Sequence, residues 1–293
     1  MRPTDGAGRR RSRPAARGTS SASASGKGAG RGAPAGERSR TGRRWLTDPV
    51  GWWRRQGRTT GYPTSSNRAS SVHLRWGGLP AGDQLVEVAA TLEVVEGPAV
   101  PELYFWALQA GFSGPGGRRG AAHLGLQWYA AHPGSTAVNW GGYHAAGGIL
   151  DGTDSDLPSA TGNPNTRDLA WEPGRPYRLA ISAGAEPGWW RGSVDGVVVR
   201  VLHGGGDRLV EPMVWSEVFA RCDHPPAAVR WSELTARTAG GDVVEPDRVT
   251  VSYQARADGG CDNTTVVADG PGAVLQVTGS DRLVPAGAVL ALR

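Results

Sequence analysis

No apolar run in this 293-residue chain approaches the ~20 residues that a helix needs to span a bilayer. Lysine is nearly absent: Lys27 stands alone, and every other cation is arginine. There are only two cysteines, Cys222 and Cys261. That excludes a disulfide-dense scaffold and any Cys-x-x-Cys site. One bond between them closes a loop of about 40 residues, worth ~3–4 kcal/mol in the chain-entropy estimate; two buried thiols are the alternative. The six histidines, at 73, 123, 132, 144, 203 and 224, are scattered. No His-x-x-x-His or His-Glu-x-x-His phrase appears, so no zinc site is expected. There is no Gly-x-Ser-x-Gly elbow and no Walker loop, and the glycine-rich SGPGGRRG turn leads into no helix that would cradle a phosphate. Asp151, Asp154 and Asp156 have part of a calcium-loop spacing, but position twelve is Gly162, and a solvated acidic loop is the reading. No cofactor and no metal are expected. No stretch of about 12 residues carries helical periodicity.

Charge is present but unevenly spread. Residues 1–60 hold fifteen basic and three acidic residues, a net +12, while residues 61–293 hold seventeen basic and twenty-four acidic, a net −7. The basic character therefore belongs to the tail, and a nucleic-acid function read from overall pI fails. Residues 1–44 are Gly, Ala, Ser and Arg with almost nothing large and apolar. Such a segment buries too little to offset its ordering entropy and is expected to be disordered. The positive stretch Arg9-Arg10-Arg11 is followed by no apolar region, so no secretory signal is legible. Residues 45–56, WLTDPVGWWRRQ, read as a hinge. The expected organisation is a disordered tail and linker at 1–60 and a β-domain at 61–293.

From Tyr62 onward the chain consists of short strands between Gly, Pro and Asp clusters. In Gln84–Val95, Val86, Val88, Ala90, Leu92 and Val94 alternate with polar residues, the mark of a strand with one buried face. Glu102–Phe112 is apolar on both faces and reads as a central strand. Tyr104, Trp106, Leu108 and Phe112 lie on one side of it, and Leu103, Phe105, Ala107 and Gln109 on the other. Ala121–Tyr129 follows, with Leu124, Leu126 and Trp128 opposite His123, Gln127 and Tyr129. Residues 144–174 form a long, weakly patterned loop. Asp195-Gly196 suits a type I′ hairpin. Trp215-Ser216-Glu217 recurs as Trp231-Ser232-Glu233, which suggests equivalent positions on neighbouring strands. Many short strands with glycine turns and no helix imply a sandwich or barrel.

LYFWALQAGF, HLGLQWY, NWGGY and the later RPYRLAISAG with GWWRGSVDG resemble a family of bacterial β-rich domains catalogued as domain of unknown function 3472. Gly125-Leu126-Gln127 and the Tyr177-Arg178-Leu179 strand are its most specific pieces. The resemblance spans roughly residues 70–234. It implies an antiparallel, concanavalin-like jelly-roll β-sandwich with a concave face, of a kind found in exported proteins beside sugar-active modules. It brings no catalytic residues.

The domain carries nine of the chain's twelve tryptophans and all three of its phenylalanines. Sugar sites combine flat aromatic faces with a few fixed polar groups. The expected partner is therefore a glycan or polysaccharide, bound by Gln109, Gln127, Tyr129, Asn139, Trp140 and Trp215. Asn139 and Trp140 are placed in an exposed glycine-rich turn. The alternatives are a glycoside hydrolase or lyase with Glu217 and Glu233 as acid and base, and a noncatalytic structural or adhesion domain. Glu-x-Asp-x-x-Glu, the phrase of jelly-roll glucanases, is absent.

Overall fold

The computed structural model describes residues 59–80 and 84–293. The expectations for the basic tail and the Trp-rich hinge lie outside these residues, apart from the last two positions of the 1–60 segment. The described chain is all-β and antiparallel, with sixteen strands and two short 3₁₀ turns.

The strands form two layers. Sheet I runs β9(197–203)–β8(189–194)–β7(176–183)–β2(85–96)–β11(227–238)–β15(274–278)–β14(264–268), with β12(243–244) on the far end of β11. Sheet II runs β16(289–291)–β13(248–253)–β1(70–77)–β10(208–218)–β3(104–114)–β4(117–128)–β5(136–144)–β6(166–167). They meet at one corner, where Leu209 of β10 pairs with Leu85 of β2. This is the sandwich that the strand pattern allows and the jelly-roll type that the resemblance implies.

The core lies between the sheets and follows the alternation. Val88, Ala90, Leu92 and Val94 of β2 face Tyr104, Trp106, Leu108 and Phe112 of β3. Phe112 stacks on Trp190 with ring centroids 5.4 Å apart. β3 is central, held by β10 on one side and β4 on the other. The 195–196 hairpin forms as expected, with Asp195 and Gly196 at φ +48° and +80°, the two positive values that a type I′ turn requires. One polar group sits deep in the core: Gln276 of β15 accepts from Ser216 Oγ of sheet II (2.5 Å) and from Trp231 Nε1 of sheet I (2.9 Å). A single amide oxygen thus joins the two layers.

Two expectations change, and one open alternative is resolved. The NWGGY segment is a strand, β5, and not a turn. Its glycines are sites of close approach: a Cβ at Gly142 would lie 2.2 Å from Ala121 O, and one at Gly141 2.7 Å from Asn165 Nδ2. The Trp-Ser-Glu echo does not mark neighbouring strands, because β10 and β11 belong to different sheets. The cysteines, left open above, form a disulfide with Cα atoms 5.5 Å apart. It ties the exit of β10 to the turn after β13. The same region is pinned by Cys222 N–H to Gly61 O and by Cys261 N–H to Ser70 Oγ.

Candidate ligand-binding face

Sheet II has a second aromatic layer on the side away from the core. Strand alternation turns Phe105, Ala107 and Gln109 of β3 outward, along with Met213, Trp215 and Glu217 of β10 and His123 and Gln127 of β4. Phe105, Ala107, Met213 and Trp215 make an apolar cluster separate from the core. Trp215 is its centre. Its ring meets Phe105 edge-on at 4.9 Å and lies 5.7 Å from His123 and 6.0 Å from His73 of β1. The space for these rings comes from the small side chains beneath. Trp215, Ala107, Gly125 and Asn139 form one cross-strand row.

Polar groups are fixed around this layer. Gln109 Oε1 accepts from Trp215 Nε1 at 3.0 Å, and its Nε2 has only the Met213 sulfur, at 3.7 Å. Gln127 Oε1 lies 3.1 Å from His132 Nε2. With that nitrogen protonated, Gln127 accepts and its NH₂ has no protein acceptor among the described residues. In that tautomer both carboxamides have their oxygens engaged by the protein, while the Gln109 NH₂ meets only a sulfur and the Gln127 NH₂ no acceptor among the described residues. Glu217 is half-buried on the same face, and Asn67 Nδ2 donates to its Oε1 at 2.7 Å. Burial raises the Glu217 carboxyl above the usual range, and the Asn67 bond opposes that rise only in part. Glu217 and Gln127 flank Phe105 in one row, about 10 Å apart at their Cα atoms across two strand spacings. Burial lowers both His73 and His123 to about 4, with Arg75 adding to the effect on His73. Both are therefore neutral near pH 7, each with one ring nitrogen able to accept a hydrogen bond.

The rim is aromatic and exposed. Tyr62, Tyr129 and Tyr143, exposed by 54%, 38% and 59%, are the exposed aromatic side chains among the described residues. Tyr143 lies on β5 with its ring 6.5 Å from His123. Tyr129 follows β4 and meets His132 edge-on at 5.3 Å. Tyr62 donates to Glu102, just before β3, and lines a recess with Ser65, Arg68 and Phe219, where β10 leaves the sheet.

Of the residues expected to bind, Gln109 and Trp215 touch each other, Gln127 lies one strand over from Phe105, and Tyr129 lies at the rim. Asn139 also faces outward, but it is buried and donates to Thr166 Oγ1. Trp140 belongs elsewhere: it is fully buried in the core, against Gly192 of sheet I. The Glu217–Glu233 pair is broken by topology. Glu233 lies on the outer face of sheet I, bonded to Thr91 Oγ1 and beside Arg178, with the whole sandwich between it and Glu217. Acid–base pairs of glycosidases need carboxyls within about 5–9.5 Å. His73, Phe105 and Tyr143 escape the sequence reading as site residues, although alternation places Phe105, together with His123, on the outer side. Asn67 comes from a loop and left no signal.

No protein-family model matches the chain, and no curated protein matches it in sequence. Among solved structures it is similar to scytalido-glutamic peptidase bound to a peptide-based transition-state analogue, at TM-score 0.42 and 10% identity over 75% of this chain and 98% of that one. It is also similar to SCP-B, of the eqolisin family of peptidases, in complex with the tripeptide Ala-Ile-His, at TM-score 0.40 and 11% identity over 74% and 98%. A third is a Bacillus subtilis protein of unknown function with a galectin-like fold, at TM-score 0.27 and 10% identity over 64% and 89%. These likenesses concern the β-sandwich alone.

Proposed function

We propose that this chain is a glycan-recognition domain that lays a polysaccharide segment across the outer face of sheet II. The observation that carries the reading is the pairing of exposed rim tyrosines with two carboxamides whose oxygens are already engaged by protein donors. Pyranose rings present an apolar face that suits aromatic rings, and ring and hydroxyl oxygens that accept from NH₂ groups. The resemblance to domain of unknown function 3472 supports the same class of ligand. Affinity electrophoresis of the full chain through gels containing neutral polysaccharides tests it. Retardation by at least one polymer is expected, with apparent affinity falling tenfold or more in Tyr143→Ala and Gln127→Ala. Wild-type mobility unchanged by every polymer overturns the reading.

Glu217 favours a second reading, hydrolysis of the bound polymer in acid. A half-buried carboxyl with a raised pKa on this face suits a proton donor to the leaving glycosidic oxygen as water adds to the anomeric carbon, and the Gln127 NH₂ suits a hydrogen bond that holds a neighbouring sugar hydroxyl. Chain shortening of a retained polymer at pH 4–5, abolished by Glu217→Gln, is the expected sign. Equal shortening by wild type and variant removes this reading and leaves binding untouched.

A further inference from the structure

The half-buried arginines of this protein are well matched, except for two. Arg178 donates to Thr235 Oγ1 and the Glu233 carbonyl, with the Glu233 carboxylate 3.9 Å away. Arg230 bridges Glu93 and Asp269 at 2.6 and 2.5 Å. Arg282 donates to the carbonyls of Thr264 and Cys261 and lies 4.0 Å over the Tyr253 ring. Arg200 and Arg167 have nothing comparable. Neither enters an ion pair among the described residues.

Arg200 is on β9, the edge strand of sheet I, and is only 6% exposed. Its Nη1 donates to a neutral partner, Asn165 Oδ1, at 2.8 Å. Its Nη2 packs so tightly on the long loop that a Cβ at Gly152 would lie 2.5 Å from it. Arg167 is on β6, the edge of sheet II, opposite the core residue Val138, and is half-buried. Asn165, which accepts from Arg200, stands two residues before Arg167 and so brings the two arginines to one edge. Burial first and the charge of Arg167 second hold Arg200 below the usual guanidinium range, and the exposed Asp154 offsets them in smaller part. The Nε of each is buried without a hydrogen-bond partner. Bringing two like charges under a loop with so little compensation is costly. The planar donor fork of arginine fits an oxyanion, which would satisfy both groups at once.

We propose that Arg167 and Arg200, with Asn165 orienting Arg200, form an oxyanion site at the sheet edge beneath the 145–165 loop. The ligand chemistry is a carboxylate or sulfate, either the free anion or the acidic group of a glycan. The site lies at the sandwich edge, apart from the aromatic face, and its existence does not depend on the reading given above.

Thermal unfolding of the full chain, followed against sodium sulfate and against sodium chloride at equal ionic strength, tests the site. Oligogalacturonate and a sulfated oligosaccharide serve as further probes. A saturable rise in Tm with at least one of the three anionic probes, beyond the chloride effect, is expected. Which probe saturates at the lowest concentration separates a free anion from an acidic glycan. Arg167→Gln is expected to weaken that response at least tenfold. Arg200→Met, which keeps the aliphatic stem, should do the same. Arg191→Gln, on the outward side of the neighbouring β8, should leave it intact. Should Arg200→Met fail to fold, Arg167→Gln still decides, because its side chain is half-buried and outside the core. A non-saturable response to every probe, or a saturable one unchanged in Arg167→Gln, overturns the proposal.

Discussion

The phrase Trp-Ser-Glu occurs twice and is used in opposite ways. On β10, Trp215 and Glu217 point outward to the aromatic face, and Ser216 points inward to Gln276. On β11, Trp231 points inward to the same Gln276 oxygen, and Glu233 ends at the surface, with Thr91 and Arg178. The two copies are one residue out of phase. A period of two makes that shift equivalent to turning the segment over. Composition therefore says little about role here, whereas phase says nearly all of it. A further difference reinforces this: Glu233 sits at a β-bulge with φ +50°, which exposes its side chain, while Glu217 lies in regular register with Phe105.

The contrast can be tested from its largest consequence downward. Trp231→Ala should cost ~3–5 kcal/mol, as for large-to-small changes in a packed core. Trp215→Ala should cost less, because its cluster lies outside the sandwich. Urea unfolding of both variants decides, and a larger loss at 215 would erase the distinction between the faces. Removing the disulfide by Cys222→Ala with Cys261→Ala should cost up to about 4 kcal/mol. Hydrogen exchange should then rise over residues 61–70, beside Glu217, and stay unchanged in β11; equal deprotection of both would show that the bond does not favour the β10 side.

Gln276→Leu should cost about 1–3 kcal/mol for each donor left unpaired, Ser216 Oγ and Trp231 Nε1. Adding Ser216→Ala to it should recover part of that loss in a double-mutant cycle. Part of the pH dependence should come from the outer face, beside His132 and His224, whose burial lowers them as well. His73 and His123 fall to about 4 on folding, so the unfolded chain binds more protons between about pH 6.5 and 4. Stability should decline as pH drops through that window, and His123→Gln should flatten the decline, measured by Tm against pH. The smallest effects concern the glutamates. The folded-state pKa of Glu217 is raised, so its contribution is lost as pH rises and its charge is unfavourable near neutrality. Glu217→Gln should then leave stability at pH 7 unchanged or slightly higher. Glu233→Gln should lower it by less than about 1 kcal/mol, as for an exposed ion pair. A marked loss in Glu217→Gln would sink the claim that its charge is costly there.

Much of the fold was legible because alternation reports burial directly. It separated Tyr104, Trp106 and Leu108 from Phe105, Ala107 and Gln109, and it put Gln127 opposite Leu126. What it does not report is which sheet a strand joins. Glu217 and Glu233 looked like cross-strand neighbours only while β10 and β11 were taken as adjacent. Trp140 was misread for a different reason. Glycine density around it suggested a turn, yet Gly141 and Gly142 give room to Asn165 and Ala121 within a regular strand. Asn67 reaches Glu217 across a sequence separation of 150 residues, a contact made by tertiary folding alone.

Gly125 has a practical consequence. A side chain there would place its first carbon 2.0 Å from the Trp106 carbonyl oxygen, so the tripeptide Gly125-Leu126-Gln127 is three constraints in a row. The glycine sets how near two strands can lie, the leucine fills the interior, and only the glutamine turns its side chain to the outer side of the sheet. A search keyed to this tripeptide will gather chains that share a packing solution.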